Sequence, residues 1–240
     1  MIKTREEYTI DAVEKFLIDN KRNRMIHRSN IDVIENVIST NNLKYGIDVG
    51  IQLGESSRYF LSSLMRNSAD SMLVCFDNNM CMEYYKEKVT IPDAGCFKNF
   101  FYVEDEFDET LLKNHLLFFE QDFLSVIDMR YRKYPLTTPV FGDIKKYPTK
   151  FDFIHMDFIP GHANSEESYN AMRYCCNPKW FELFNSTFYI FHHQVQQQGP
   201  GHFQGIIDSL NYLPCNFEFG FMQTYPLELG IFKVTKIRKN

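Results

Sequence analysis

Several patterns with a clear functional meaning are missing from this 240-residue sequence. Its six cysteines include no C-x-x-C pair, which argues against a zinc framework. No segment approaches the ~18 uninterrupted apolar residues of a membrane-spanning helix. The opening stretch MIKTREEYTI lacks the apolar run of a signal peptide. We therefore expect a soluble, cytoplasmic protein whose thiols stay reduced.

Basic charge is also scarce. The net charge is −5, and the densest basic patch is confined to residues 19–28. Because proteins that bind nucleic-acid backbones usually present a broad basic surface, we expect no nucleic-acid partner. The sequence leaves open whether the chain acts alone or as a homo-oligomer.

Short apolar segments alternate with segments of helical spacing along most of the chain. YGIDVG, for example, is too short and too rich in β-branched residues for a helix, and it predicts a buried strand. Strand–helix units in series predict an α/β fold, with a doubly wound, mostly parallel sheet and helices on both faces. Residues 1–40 are expected to form an N-terminal helical segment packed on a single domain of residues 41–240. The segments that contain the predicted strands are 45–50, 71–77, 115–123, 151–158, 186–194, 215–223 and 228–236.

Polar residues recur where these predicted strands end. In a sheet of this kind, ligands bind beyond the carboxyl ends of the strands. The strand ends therefore define the candidate site. The polar or glycine residues found there are Asp48, Gly50, Gly54, Ser56, Asp77, Gln121, Asp122, His155, Asp157, His192 and His193.

The first of these strand ends contains a G-x-x-x-G-x-S pattern, formed by Gly50, Gly54 and Ser56. Glycine lets the backbone turn sharply and approach a ligand, and a helix that begins near Ser56 offers free N–H groups to a carboxylate or phosphate. A plain tight turn between a strand and a helix would look the same. The spacing differs from the G-x-G-x-x-G fingerprint of dinucleotide-binding proteins.

Two acids after the next strands suit a nucleoside. Asp77 follows the second predicted strand, where a carboxylate can accept hydrogen bonds from both hydroxyls of a ribose. Asp122 follows the third, where it could receive an adenine amino group. Each could equally be a helix-capping or turn aspartate.

Four segments together resemble class I S-adenosylmethionine-dependent methyltransferases. IDVGIQLGESSRYF resembles the first motif of the branch that includes macrocin O-methyltransferase and the cephalosporin hydroxylase-like proteins. VCFD is similar to its second motif, and FFEQDF and FDFIHMDFIPGH resemble the segments after strands three and four. The resemblance covers roughly residues 40–235. It implies a seven-stranded sheet whose last strand is antiparallel, and an O-methyltransferase that acts on a sugar, a glycan or a similar polyhydroxylated acceptor.

The resemblance also implies roles for the strand-end residues, with S-adenosylmethionine as the cofactor. Asp48, Gly50, Gly54 and Ser56 would surround its methionyl part. Asp77 would hold the ribose, and Gln121 and Asp122 would lie beside the adenine. Asp157 would face the site of methyl transfer.

One part of the sequence departs from this pattern. Related sugar O-methyltransferases hold a divalent metal with the acid after strand four and a pair of acids after strand five, but here His192 and His193 replace that pair. Either Asp157 and a histidine such as His192 still bind a metal, or there is no metal and a histidine removes the proton of the acceptor hydroxyl directly. His202 could reach the same pocket from the next helix.

Two other classes of protein remain open at this stage. A nicotinamide-linked oxidoreductase can use a similar sheet, although it would be expected to carry a further glycine after Gly54. A non-catalytic binding subunit could retain the fold, although it would be expected to have lost the strand-end acids, which are present here.

Overall fold

The fold is that of a computed structural model, which describes residues 28–50, 55–68, 70–76, 116–119, 150–157, 166, 169–170, 172–173, 176–193, 200–224 and 227–237. Residues 1–27 of the predicted N-terminal helical segment, which spans residues 1–40, lie outside this set. None of the described helices is both long and apolar enough to cross a membrane.

Strands and helices follow each other along the chain as the sequence pattern predicts. The helices that the described residues cover from end to end are α1 (Arg28–Thr40), α2 (Glu55–Asn67), α3 (Pro178–Glu182) and α4 (Pro200–Tyr212). The strands are β1 (Tyr45–Val49), β2 (Met72–Phe76), β3 (Leu116–Phe119), β4 (Phe151–Met156), β5 (Phe184–His193), β6 (Cys215–Thr224) and β7 (Leu227–Lys236).

The strands form one sheet in the order β3-β2-β1-β4-β5-β7-β6. The neighbours from β3 to β5 pair in parallel. The last strand, β7, runs antiparallel to both β5 and β6. The prediction of a mostly parallel sheet in an α/β fold is therefore confirmed, and the order reverses between β1 and β4, where ligands of such sheets bind.

Each face of the sheet is covered by its own hydrophobic core. One core joins α1 and α2 to strand side chains such as Leu73, Phe153 and Phe191. The other joins α3 and α4 to strand side chains such as Ile47, Ile154 and Phe188. Because side chains alternate along a strand, Ile47 and Val49 of β1 point into the second core, whereas Gly46 and Asp48 point towards α2. Helices on both faces were expected from the sequence.

Two local features differ from the sequence-based expectation. Apolar residues at helical spacing predict a helix over residues 31–38, whereas helix α1 is longer and spans Arg28–Thr40. Helix α3 was not predicted. It begins after Asn177, whose side chain accepts hydrogen bonds from the backbone N–H groups of Lys179 and Trp180 at 2.9 and 3.1 Å. Its signal is the Asn-Pro pair, since Asn is a favoured N-cap and Pro a favoured first helical residue.

Gly46 provides the space in which the ring of Phe153 packs. A Cβ atom added at Gly46 would lie 2.1 Å from Cζ of Phe153. We expect Gly46→Ala to lower the free energy of unfolding by about 1–3 kcal/mol, the usual cost of overpacking a core. The matched control is Gly220→Ala on β6, where an added Cβ meets no atom within 4 Å. Urea unfolding of both variants checks this, and equal stabilities would show that Phe153 does not need the space.

Candidate functional site

The ends of β1, β2 and β4 are joined by backbone hydrogen bonds at the carboxyl edge of the sheet. Gly50 donates its N–H to the carbonyl of Phe76 at 3.0 Å, and Asp157 donates its N–H to the carbonyl of Val49 at 3.0 Å. Gly50 has a φ of 81°, a left-handed conformation that favours glycine. β1 is therefore followed by a left-handed turn residue, Gly50, whose neighbour Val49 is bonded to the backbone of Asp157.

A buried polar cluster lies behind this turn. The carboxylate of Asp48 has no exposed surface. Its Oδ2 accepts a hydrogen bond from Ser57 Oγ at 2.5 Å and lies 3.5 Å from Ser56 Oγ. Its Oδ1 lies 2.7 Å from Nδ1 of His155, which is also fully buried. Both carboxylate oxygens are thus engaged by protein groups.

The register of the sheet explains this meeting. Asp48 of β1 is the direct neighbour of His155 of β4, so their side chains project from the same face. Helix α2 packs on that face, and its Phe60 ring lies 4.8 Å from the His155 ring between centroids. Ser57, in the first turn of α2, donates its hydrogen bond to Asp48 from the side of the sheet that α2 covers. Three elements therefore meet at one carboxylate.

His192 lies on the opposite face of the sheet. It is the neighbour of Met156, which belongs to the core beneath α4. Its Nε2 lies 3.1 Å from Nδ1 of His202 on α4, and both side chains are fully buried. Burial first, and then the nearby imidazoles of His202 and His155, lower the pKa of His192 from its ordinary 6.5 to about 3. His192 is therefore held neutral within the core.

The remaining predicted site residues divide into two groups. Asp157 is half-buried at the carboxyl edge, and His193 is the last residue of β5, although its side chain is outside the described set. Ser56 is buried in the first turn of α2. The residues that lie outside the described part of the chain are Gly54, Asp77, Gln121 and Asp122.

The metal hypothesis stays a prediction. Within the described ranges, no three His, Cys, Asp or Glu side chains are grouped closely enough to hold a metal ion. Of the two residues named for it, Asp157 lies at the sheet edge, whereas His192 belongs to the buried pair with His202.

Sequence reasoning did not assign two residues of the buried cluster, His155 and Ser57. Each was visible at a strand or helix end, but neither was given a partner. A signal was available for His155, because it stands two residues before Asp157 just as Asp48 stands two residues before Gly50. When two neighbouring parallel strands end at the same level, residues at the same distance from their ends lie side by side.

Among known proteins, the chain resembles solved structures and matches no family model or curated sequence. Among solved structures, it is similar to an O-methyltransferase from Bacillus cereus in complex with SAH. That match has a TM-score of 0.50 and 11% identity, over 97% of this chain and 100% of that one. It is also similar to a SAM-dependent O-methyltransferase from Thermotoga maritima, with a TM-score of 0.51 and 11% identity, over 95% of this chain and 72% of that one.

At these identities the likeness concerns the fold. The chain therefore has the Rossmann-like fold that these O-methyltransferases share, as its strand order and its antiparallel last strand also indicate. The branch suggested by the sequence motifs remains a hypothesis.

The buried position of His192 predicts a specific dependence of stability on acid. Its pKa in the folded chain is lower than in the unfolded chain, so unfolding binds a proton below pH 6.5. Stability should therefore be retained above pH 6.5 and fall as the pH drops towards 3, by about 1.4 kcal/mol for each pH unit from this group alone. Comparing urea unfolding of the wild type and His192→Leu across this range isolates the effect. Identical slopes for the two proteins would contradict it.

Proposed function

We propose that this chain is an S-adenosylmethionine-dependent O-methyltransferase whose cofactor binds at the carboxyl edge of the sheet. The observation that carries the proposal is the left-handed turn at Gly50, which lies at the end of β1, next to Asp157 and shortly before helix α2. The O-methyltransferase fold of the chain and the motif resemblance described above support the same conclusion. The resemblance also supports a sugar, glycan or similar polyhydroxylated acceptor.

The residues at this edge fit such a cofactor chemically. Gly50 has no side chain, so the backbone can approach a ligand closely. Helix α2 begins at Glu55, and its first N–H groups favour a carboxylate such as that of a methionyl group. The acids placed by the motifs, above all Asp77 and Asp157, suit the ribose and the positive sulfonium respectively.

In this reaction, the bound cofactor supplies a methyl group already activated by a sulfonium leaving group. The protein therefore mainly aligns the acceptor oxygen and removes its proton. Asp157 is proposed to face the reacting groups. His192 is a weak base at neutral pH because its pKa is about 3, so we assign proton removal to His193. The amide side chains of the QVQQQ segment that follows β5 offer hydrogen-bond partners to an acceptor rich in hydroxyl groups.

Calorimetric titration tests the class of protein directly. We expect S-adenosylmethionine to bind with micromolar affinity and NAD to give no heat of binding. Binding of NAD alone would favour an oxidoreductase, and the absence of both would favour a non-catalytic subunit or a different ligand.

The role of Asp77 is tested by Asp77→Ala. A hydrogen bond to a charged group contributes ~1.5–3 kcal/mol to the free energy of binding. Its loss should therefore raise the dissociation constant for S-adenosylmethionine about tenfold or more. Asp70→Ala is the control, because Asp70 is an exposed acid that precedes the same strand at its other end. If both variants change the dissociation constant by the same small factor, Asp77 does not hold the ribose.

Metal dependence is tested by release of S-adenosylhomocysteine in the presence of a panel of sugar acceptors. If a histidine acts directly as the base, transfer should continue after the enzyme is treated with EDTA. His193→Ala should slow transfer about 100-fold or more, with cofactor affinity unchanged. Loss of activity in EDTA, followed by recovery with added manganese or zinc, would instead support the metal hypothesis.

A further inference from the structure

The carboxylate of Asp48 is placed differently from the role that the motif resemblance gives it. The resemblance places it against the methionyl part of the cofactor. In the structure, the side chain is fully buried and its two oxygens are occupied by His155 on one side and by Ser57 on the other. Both oxygens of Asp48 are therefore held by protein groups.

Through Ser57, Asp48 is connected to the start of α2. Asp48 precedes the left-handed Gly50 by two residues, and Ser57 follows the start of α2 at Glu55 by two residues. The Ser57–Asp48 hydrogen bond thus ties together the two ends of the segment that links β1 to α2. That segment contains the G-x-x-x-G-x-S pattern proposed to contact the cofactor.

His155 extends the connection to the second strand end. It precedes Asp157 by two residues, and the N–H of Asp157 bonds to the carbonyl of Val49. The His155–Asp48 contact and this backbone bond therefore join β1 and β4 twice within a short distance of the edge. A change in the orientation of Asp48 would therefore disturb the backbone at both Gly50 and Asp157.

A carboxylate away from water is stable only when it is paired and hydrogen-bonded. His155 is the titratable side chain in direct contact with Asp48, and the aromatic ring of Phe60 packs against it on the side of α2. Packing against Phe60 restricts the orientation of the His155 ring, and the ring in turn restricts the orientation of the Asp48 carboxylate. Core filling alone does not require a nitrogen at that place, because Phe or Leu would fill the same apolar surroundings.

From this geometry we infer that His155 is a positioning residue of the cofactor site. It orients the buried Asp48 carboxylate, which in turn holds the Gly50 turn against the start of α2. The inference rests on the proposed function, because the turn is taken to bind S-adenosylmethionine. It assigns Asp48 and His155 an indirect role, with no contact between either side chain and the cofactor.

Three variants separate positioning from packing. His155→Phe keeps the ring volume and removes the nitrogen. His155→Asn loses volume but keeps an amide nitrogen near the place of Nδ1. Ser209→Ala is the matched control on the opposite face, where a buried Ser Oγ donates to the carbonyl of Gly205 at 2.7 Å within α4.

The readouts are urea unfolding and calorimetric titration with S-adenosylmethionine. We expect His155→Phe to weaken cofactor binding about tenfold or more, because the buried carboxylate loses its partner. His155→Asn should bind within about threefold of the wild type even if it is the less stable protein, because a donor to the carboxylate is retained. Ser209→Ala should lose stability and keep full affinity.

Several results would overturn the inference. If His155→Phe binds as tightly as the wild type, or if both His155 variants lose affinity only in proportion to their stability, the residue serves packing alone. If His155→Phe does not fold, Ser57→Ala replaces it, and an unchanged affinity in that variant counts against the inference. Failure of the wild type to bind S-adenosylmethionine would be a failure of the proposed function itself, and the inference would fall with it.

Discussion

The architecture of the candidate site depends on one buried carboxylate. Asp48 joins β1, β4 and α2 at a point that has no access to solvent. Leaving a buried polar group without its hydrogen-bond partner typically costs about 1–3 kcal/mol, an appreciable share of the stability of an ordinary domain. The chain can accommodate such a group only where the strand register and the helix start bring His155 and Ser57 to it. The same convergence fixes the turn at Gly50 and the neighbouring Asp157.

The sheet separates two pairs of polar side chains that look alike in the sequence. The Asp48–His155 pair faces α2 and lies directly behind the carboxyl edge, whereas the His192–His202 pair faces α4 and is buried in the other core. The difference decides their chemistry. The Asp48 carboxylate is hydrogen-bonded by groups of β4 and α2, whereas burial and the nearby imidazoles keep His192 neutral in its apolar core. The first pair can organise the site, and the second chiefly contributes to packing.

Local patterns were sufficient to predict most of the fold, but not the partners within the site. The runs around Ile47, Val74 and Ile154 are short, apolar and bounded by polar residues, so the strands and their parallel arrangement could be predicted. The contact between Asp48 and His155 spans 107 residues and depends on the exact register of two strands, which no local pattern encodes. Likewise, the dipeptide His192-His193 indicates a polar strand end but not which histidine enters the core. By contrast, the start of α3 does have a local signal, the Asn177-Pro178 pair.

The most direct measurement is a crystal structure of the protein with S-adenosylhomocysteine. We expect the ligand to lie across the carboxyl edge, with its amino-acid part against the backbone at Gly50 and with Asp157 beside its sulfur. We also expect Asp48 to remain bound to His155 and Ser57 without touching the ligand. An empty edge in a saturated crystal, or a direct hydrogen bond from the ligand to Asp48, would contradict these expectations.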